Sequence, residues 1–380
     1  MFASSQANAS GFFIREQSTA GMSNAFAGAT AGAEDISYSF WNPAGLTRHE
    51  GSQINGNLIA INPHVTGESG NQKARHVVEN AVVPSMYFSN QLNDKFTLGF
   101  SLTAPFGLVT DYSDNFPNSV GHDTLSEVTT YNFNTMLAYK ATDKLSLGAG
   151  FVVQYIDATL GTATSITNVE VAGDTADIGY TLGALYEFTD ATRVGVGYRS
   201  KIDHKLKGDA TYSANSYNQD ITAKLTTPEV LSFGAYHDVN SQWSVMAEAQ
   251  RTGWASFGVL DIINSSTGSS LSTVPENWKD SWFYSVGANY KLTCDTTLRF
   301  GVAFDQTPVS DEYKTMRIPD SDRIWYSAGV SHQYNDNLTV NLGYTYIRAE
   351  DSSVNLAATG DSINYTGNIH LFGLGFNYNF

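Results

Sequence analysis

From about residue 52 to the C-terminus, apolar and polar side chains alternate. Phe96, Leu98, Phe100 and Leu102 fall on one face of a strand, and Thr97, Gly99, Ser101 and Thr103 on the other. At the far end Phe372, Leu374, Phe376, Tyr378 and Phe380 oppose Gly373, Gly375, Asn377 and Asn379. Six short polar turns punctuate this pattern, centred on residues 94, 143, 190, 241, 295 and 336 and so about 50 residues apart. That period is too long for a soluble hairpin. It suits two membrane-length strands, one tight turn and one longer loop. Two strands around each turn, one from near Ser52 and a last one over 368–380 make about fourteen. The reading is an all-β, transmembrane antiparallel β-barrel with an apolar, aromatic-ended band facing lipid and a small or polar interior. A soluble β-sandwich also alternates, but the strand lengths, the regular exchange of short and long connections and the aromatic last strand favour the barrel. Its longer loops are expected over 63–80, 106–125, 158–175, 208–219, 258–277, 307–322 and 350–367.

The first 47 residues carry no such alternation. Residues 21–32 are mostly small, Asn42-Pro43 is a turn signal, and Phe12, Phe13, Phe26, Phe40 and Trp41 are too many aromatics for a solvated tail. A fourteen-strand barrel is too wide for wall side chains to fill. Residues 10–47 are therefore expected to be a plug, or hatch, inside a barrel formed by 48–380. Ala7-Asn8-Ala9 has the small-residue pattern of a signal-peptidase site, so residues 1–9 read as a residual signal tail or added residues, with Ser10 as the mature start.

Composition narrows the class. Only 15% of the 380 residues are charged, against roughly 25% in soluble domains, while there are 21 Tyr, 21 Phe and 33 Gly. No apolar run approaches a spanning helix, so if the chain crosses a membrane it must do so as a closed barrel. A net charge of −16 argues against nucleic acid. Cys294 is the only cysteine, so no intrachain disulfide can form. No metal-ligand spacing occurs, and the Gly-x-Gly pairs at 148, 195 and 373 lack the third glycine of a nucleotide loop. His237-Asp238 lies beside a tight turn with the two side chains on opposite faces. No catalytic residue, cofactor or metal is expected.

Three local features stand apart. Pro105, inside Ala104-Pro105-Phe106-Gly107, cannot donate to a sheet ladder; it either ends the strand or interrupts the barrel wall. Arg199, Lys201, His204, Lys205 and Lys207 form a basic run near an outer strand end, suited either to lipopolysaccharide phosphate or to solvent. Asp320, Asp322 and Arg323 suit an internal ion pair better than a ligand site.

With these residues in view, the chain resembles the FadL-type outer-membrane transporters of long-chain fatty acids and other hydrophobic compounds. The resemblance runs nearly end to end. It is carried by Gly11-Phe12, Asn42-Pro43-Ala44, Val83-Pro84-Ser85-Met86, the element over 103–108, Gly301-Val302-Ala303-Phe304-Asp305 and Ile318-Pro319-Asp320-Ser321-Asp322-Arg323. It implies a bacterial outer-membrane protein whose hatch includes Ser10, Gly11, Asn42, Pro43 and Ala44. Phe12, Phe13 and Ile14 would line a lumenal pocket, and Lys279 would face a ligand carboxylate. Movement of the N-terminus would free a path to a side opening at Ala104–Gly107. The family's arginine partner to that lysine has no basic counterpart over 155–160, where Asp157 stands. Expected partners are hydrophobic small molecules, outer-membrane lipid and lipopolysaccharide, with the protein a monomer. A neutral hydrocarbon channel and a general polar porin are the alternatives.

Overall fold

The computed structural model describes residues 11–70, 72–75, 77–112, 122–163, 167–214, 217–356, 360 and 362–380, so the expectations for Ser10 and residues 1–9 lie outside it. Its strands, in chain order, are β1 (Ser52–Ser69), β2 (Gln72–Arg75), β3 (Ala81–Gln91), β4 (Phe96–Thr103), β5 (Gly107–Asp111), β6 (His122–Lys140) and β7 (Leu145–Ala163). They continue as β8 (Asn168–Thr189), β9 (Thr192–Arg199), β10 (Ile202–Tyr212), β11 (Tyr217–Thr227), β12 (Val230–Asp238), β13 (Trp243–Thr252) and β14 (Val259–Asn264). The last are β15 (Ser270–Pro275), β16 (Ser281–Lys291), β17 (Thr296–Asp305), β18 (Arg323–Gln333), β19 (Leu338–Ala349), β20 (Ser352–Asn355) and β21 (Ser362–Asn379).

Antiparallel pairing closes a ring of fourteen strands. It runs β1, β3, β4, β6, β7, β8, β9, then β12, β13, β16, β17, β18, β19, β21 and back to β1. The remaining seven segments extend the far ends of these strands. Much of what alternation alone assigned to loops at 158–175, 208–219 and 258–277 is therefore strand. Beyond the bilayer neither face must be apolar, so the ladder persists where the pattern fades.

The tight turns are built as the sequence suggests. Asn93, Asn240 and Asn335 each use a side-chain oxygen to accept the backbone N–H groups two and three residues on. The band between the two rims exposes Leu58, Phe151, Leu182, Val286, Leu374 and their like.

Residues 11–48 lie inside the ring. They contain one short helix, Thr19–Ser23, capped by the Ser18 hydroxyl, and two short 3-10 helices, Ile36–Phe40 and Pro43–Arg48, capped by Asp35 and Asn42. Nearly all of the segment is buried. It fits because the wall presents glycine where its backbone passes. A Cβ added at Gly148 would sit 2.6 Å from the carbonyl carbon of Pro43, and one at Gly197 would overlap the carbonyl oxygen of Trp41. The Asn42 amide donates to the carbonyls of Thr30 and of Ala184 in the wall, which ties Asn42-Pro43-Ala44 to β8.

Candidate functional site

The seam between β3 and β4 is interrupted. Its rungs run from Gln91–Thr97 only to Met86–Leu102. Past Thr103, Ala104 and Pro105 leave the ladder, and β5 resumes at Gly107 paired to β6 alone. Farther out the two sides rejoin through a Val78–Thr110 bridge. Between these limits the edge of β3 from Ala81 to Ser85 has no partner strand on this side. The result is a window in the wall roughly 15–20 Å long, at about 3.3 Å per residue.

The N-terminal segment fills the window. Phe13 bridges Phe106, the Ile14 N–H donates to the Pro105 carbonyl at 2.7 Å, and the Gly107 N–H donates to the Phe12 carbonyl at 2.9 Å. Gln17 completes the seal. Its side-chain amide donates to the Ala104 carbonyl at 2.9 Å and accepts the Ala104 N–H at 3.1 Å, standing in for a strand neighbour. On the other edge the Ser85 and Tyr87 hydroxyls donate to the Gln17 carbonyl at 2.8 and 2.9 Å. One residue thus bridges both edges of the gap. On the lipid side, an apolar groove of about 800 Å³ lies over the same place, with Leu58, Met86, Leu102 and Tyr131 at its surface and Ser85 and Thr103 behind them.

The lumenal side of this segment faces an apolar pocket. Phe12 packs against Trp254 (4.7 Å between ring centroids), Phe257 (5.5 Å), Phe106 (5.9 Å) and Trp278 (5.9 Å). Gly11 has φ +69°, and a Cβ there would fall 2.8 Å from the Trp254 ring, so the approach to this cage requires glycine. Beyond Phe12 the walls are Leu108, Ala158, Leu160, Leu206, Leu225 and neighbours. The free space is about 60 Å³, well short of the roughly 300–1,000 Å³ usual for ligand sites. Phe13 and Ile14 are buried beside it, outside its lining.

The pocket's charged groups are Arg317 and Glu276. From the segment between β17 and β18, Arg317 donates to the Leu125 carbonyl (2.9 Å), the Ser126 hydroxyl (3.0 Å) and the Thr162 hydroxyl (3.0 Å). Glu276 accepts from the Trp278 indole at 3.1 Å. Lys279 is exposed, lies outside the lining and donates its backbone N–H to Pro308. Asp157 shares the outward face of β7 with Tyr155, while Ala158 and Leu160 line the pocket. The wall where the family's arginine was sought is thus apolar toward the lumen.

A buried ionic cluster holds the segment from behind. Arg15 pairs with Asp305 at 3.2 Å, bonds Gln250 at 3.3 Å and lies over the Phe283 ring at 4.3 Å. Asp320 takes Arg323 at 2.8 Å with one oxygen and the Gly11 N–H at 3.0 Å with the other. The ion pair read from the sequence is therefore Asp320–Arg323, and Asp322 instead accepts the Thr307 N–H. Burial pushes the Glu16 carboxyl from 4.5 up to about 7, against the pull of neighbouring Arg15.

The family model described as "Outer membrane protein transport protein (OMPP1/FadL/TodX)" matches residues 1–380. The chain belongs to this family. It is an outer-membrane β-barrel of a transport family, not an enzyme. Among its relatives is the long-chain fatty acid transport protein of Escherichia coli K12, 29% identical over 432 residues, covering 99% of this chain and 96% of the relative. Outer membrane protein P1 of Haemophilus influenzae Rd is also 29% identical, covering 100% and 97%. The fold is shared with a Pseudomonas aeruginosa FadL homologue (TM-score 0.89, 22% identity, 97% and 100% covered). It is also that of the Pseudomonas putida toluene transporter TodX (TM-score 0.73, 18% identity, 97% and 99% covered). The FadL-type barrel thus resides in the bacterial outer membrane, and its relatives carry substrates as unlike as a fatty acid and toluene.

Trp254, Phe257 and Trp278 were not singled out by sequence reasoning, nor were Gln17 and Arg317. The aromatics carried a usable signal. They flank a long outer connection, off the alternating lipid-facing frame, so they had to face inward or pack in a loop. Gln17 had none, because its role depends on a gap visible only in three dimensions.

Proposed function

We propose that this protein takes up hydrophobic compounds across the outer membrane, a long-chain fatty acid being the reading best supported, and releases them sideways through the window at Ala104–Gly107. The observation that carries the reading is that one short segment, Phe12–Gln17, both floors the pocket and fills the window. Displacing it enlarges the pocket and opens the wall in a single motion. An acyl chain gains about 0.8 kcal/mol for each CH₂ taken out of water, so a route from apolar pocket to lipid groove keeps that gain throughout. A water-filled porin path would forfeit it, and the packed lumen speaks against one. Arg317 supplies a cation at the pocket for a carboxylate, in place of Lys279. The low polarity of the remaining lining supports a second reading, a neutral hydrocarbon such as toluene.

Binding of oleate and of toluene to the purified barrel separates the two. Oleate affinity that falls at least tenfold in Arg317→Ala but not in Lys279→Ala supports the carboxylate site. Toluene binding indifferent to Arg317, with no oleate binding, supports the hydrocarbon channel. For the route, a Gln17→Cys/Ser85→Cys disulfide in a Cys294→Ser background should abolish uptake until reduced. Undiminished uptake by the oxidised protein would refute release through the window.

A further inference from the structure

The basic run of β9 and β10 is divided by the fold. Arg199 and His204 turn inward; Arg199 donates to the Phe40 carbonyl, and His204 sits between Asp177 and Gln154. Lys201, Lys205 and Lys207 stay outside. On the adjoining strand, Lys224 is also outward and stands directly opposite Lys205 in the β10–β11 register. Like charges directly across an antiparallel pair are destabilising. Among the described residues, no carboxylate is ion-paired to Lys205, Lys207 or Lys224.

The height of this patch gives its setting. Lys207 is level with Asp174 on β8, and the lipid-facing run of β8 begins at the highly exposed Ile178. That places Lys207 about 13 Å up the strand from the apolar band, and Lys205 two residues lower, about 7 Å from it. With the usual barrel tilt of about 40°, the vertical heights are roughly 10 and 5 Å, which puts Lys205 within the headgroup layer of roughly 5–8 Å and Lys207 just above it. Carboxylates are near, but none stands directly across a rung from Lys205 or Lys224. Asp203 is engaged by the Thr226 hydroxyl at 2.8 Å and by Lys201 at 3.8 Å. Asp174 stands across from Lys207 on one side and from Asp157 of β7 on the other, and Asp209 faces Asp220 farther out.

We propose that Lys205, Lys207 and Lys224 form a site on the barrel's outer wall for a phosphate of lipopolysaccharide, the phosphorylated glycolipid of the outer leaflet. The shared anion relieves the Lys205–Lys224 repulsion. The acyl chains below it lie on the exposed band of β8, and the site is separate from the lumenal pocket.

The test is native mass spectrometry of the detergent-solubilised full barrel with diphosphoryl lipid A. The wild type should retain one lipid A per barrel in excess over phosphatidylglycerol. Lys205→Gln/Lys207→Gln/Lys224→Gln should weaken retention at least tenfold, and the corresponding triple Arg variant should keep it. Inorganic phosphate at equal concentration should not compete. Equal retention by the Gln variant, equal retention of phosphatidylglycerol by the wild type, or displacement by inorganic phosphate would each overturn the proposal. The three side chains project from the folded surface, so heat-modifiable migration of the Gln variant verifies the barrel, and the Arg variant separates charge from fold.

Discussion

Two seams of the wall are closed in different ways. Where β1 meets β21, the rungs run unbroken from Gln53–Asn379 to Glu68–Asn364. Where β3 meets β4, they stop at Met86–Leu102. In lipid every backbone polar group must be satisfied, so a gap in the ladder would be expected to weaken the wall. The missing partner is supplied from inside, by Phe12–Gln17. One seam is closed by strand on strand and cannot open without unfolding. The other is closed by a segment that belongs to the plug, and its opening costs only the plug's own contacts.

The strongest way to break that contrast is to remove the charge that anchors the plug. Asp305→Ala leaves Arg15 buried without its ion pair, which costs about 3–5 kcal/mol. Hydrogen exchange should rise sharply over residues 11–17 and at Ala81–Ser85 while the β1–β21 seam stays protected. Overpacking the lumen comes next. Gly197→Leu forces the chain at Trp41 away from the wall and should cost about 1–3 kcal/mol, read as a lower melting temperature of the barrel–plug unit. Gln17→Ala removes both bonds to Ala104 and leaves its buried N–H and carbonyl wanting, about 1–3 kcal/mol. Its effect should be confined to the window, and equal loosening of both seams would erase the distinction.

The smallest effect is one of pH. Glu16 has a raised value when seated, so seating is favoured below pH 4.5 and the advantage is lost as the pH rises through about 7. Between pH 5 and 8, exchange over residues 11–17 should increase in the wild type and stay level in Glu16→Gln.

The ring itself was legible in the sequence because lipid imposes a strict two-residue period on every strand that crosses it. The turn residues and Pro105 were legible for a similarly local reason: each acts on its own stretch of backbone. The outer ends of β7, β8 and β10 were not, since the ladder there continues with no apolar face to announce it. That Arg317 lines the pocket while Lys279 does not also escaped, because it rests on which way two loop residues turn. The glycines opposite the plug lay in plain view as Gly-x-Gly pairs. Their purpose shows only when residues 43–44 and 148 are brought together.

The close fit at those glycines bears on the order in which the molecule is assembled. The plug joins the wall at the start of β1, one of the two strands that meet to complete the ring. On the partner strand β21, Gly373 and Gly375 receive Thr19 of the plug. A ring zipped shut first would leave some forty residues to be threaded through a finished cylinder, past walls with no slack for a methyl group. The N-terminal segment must therefore be gathered inside while the β1–β21 edge is still open, so that the plug is in place before the barrel has become a barrel.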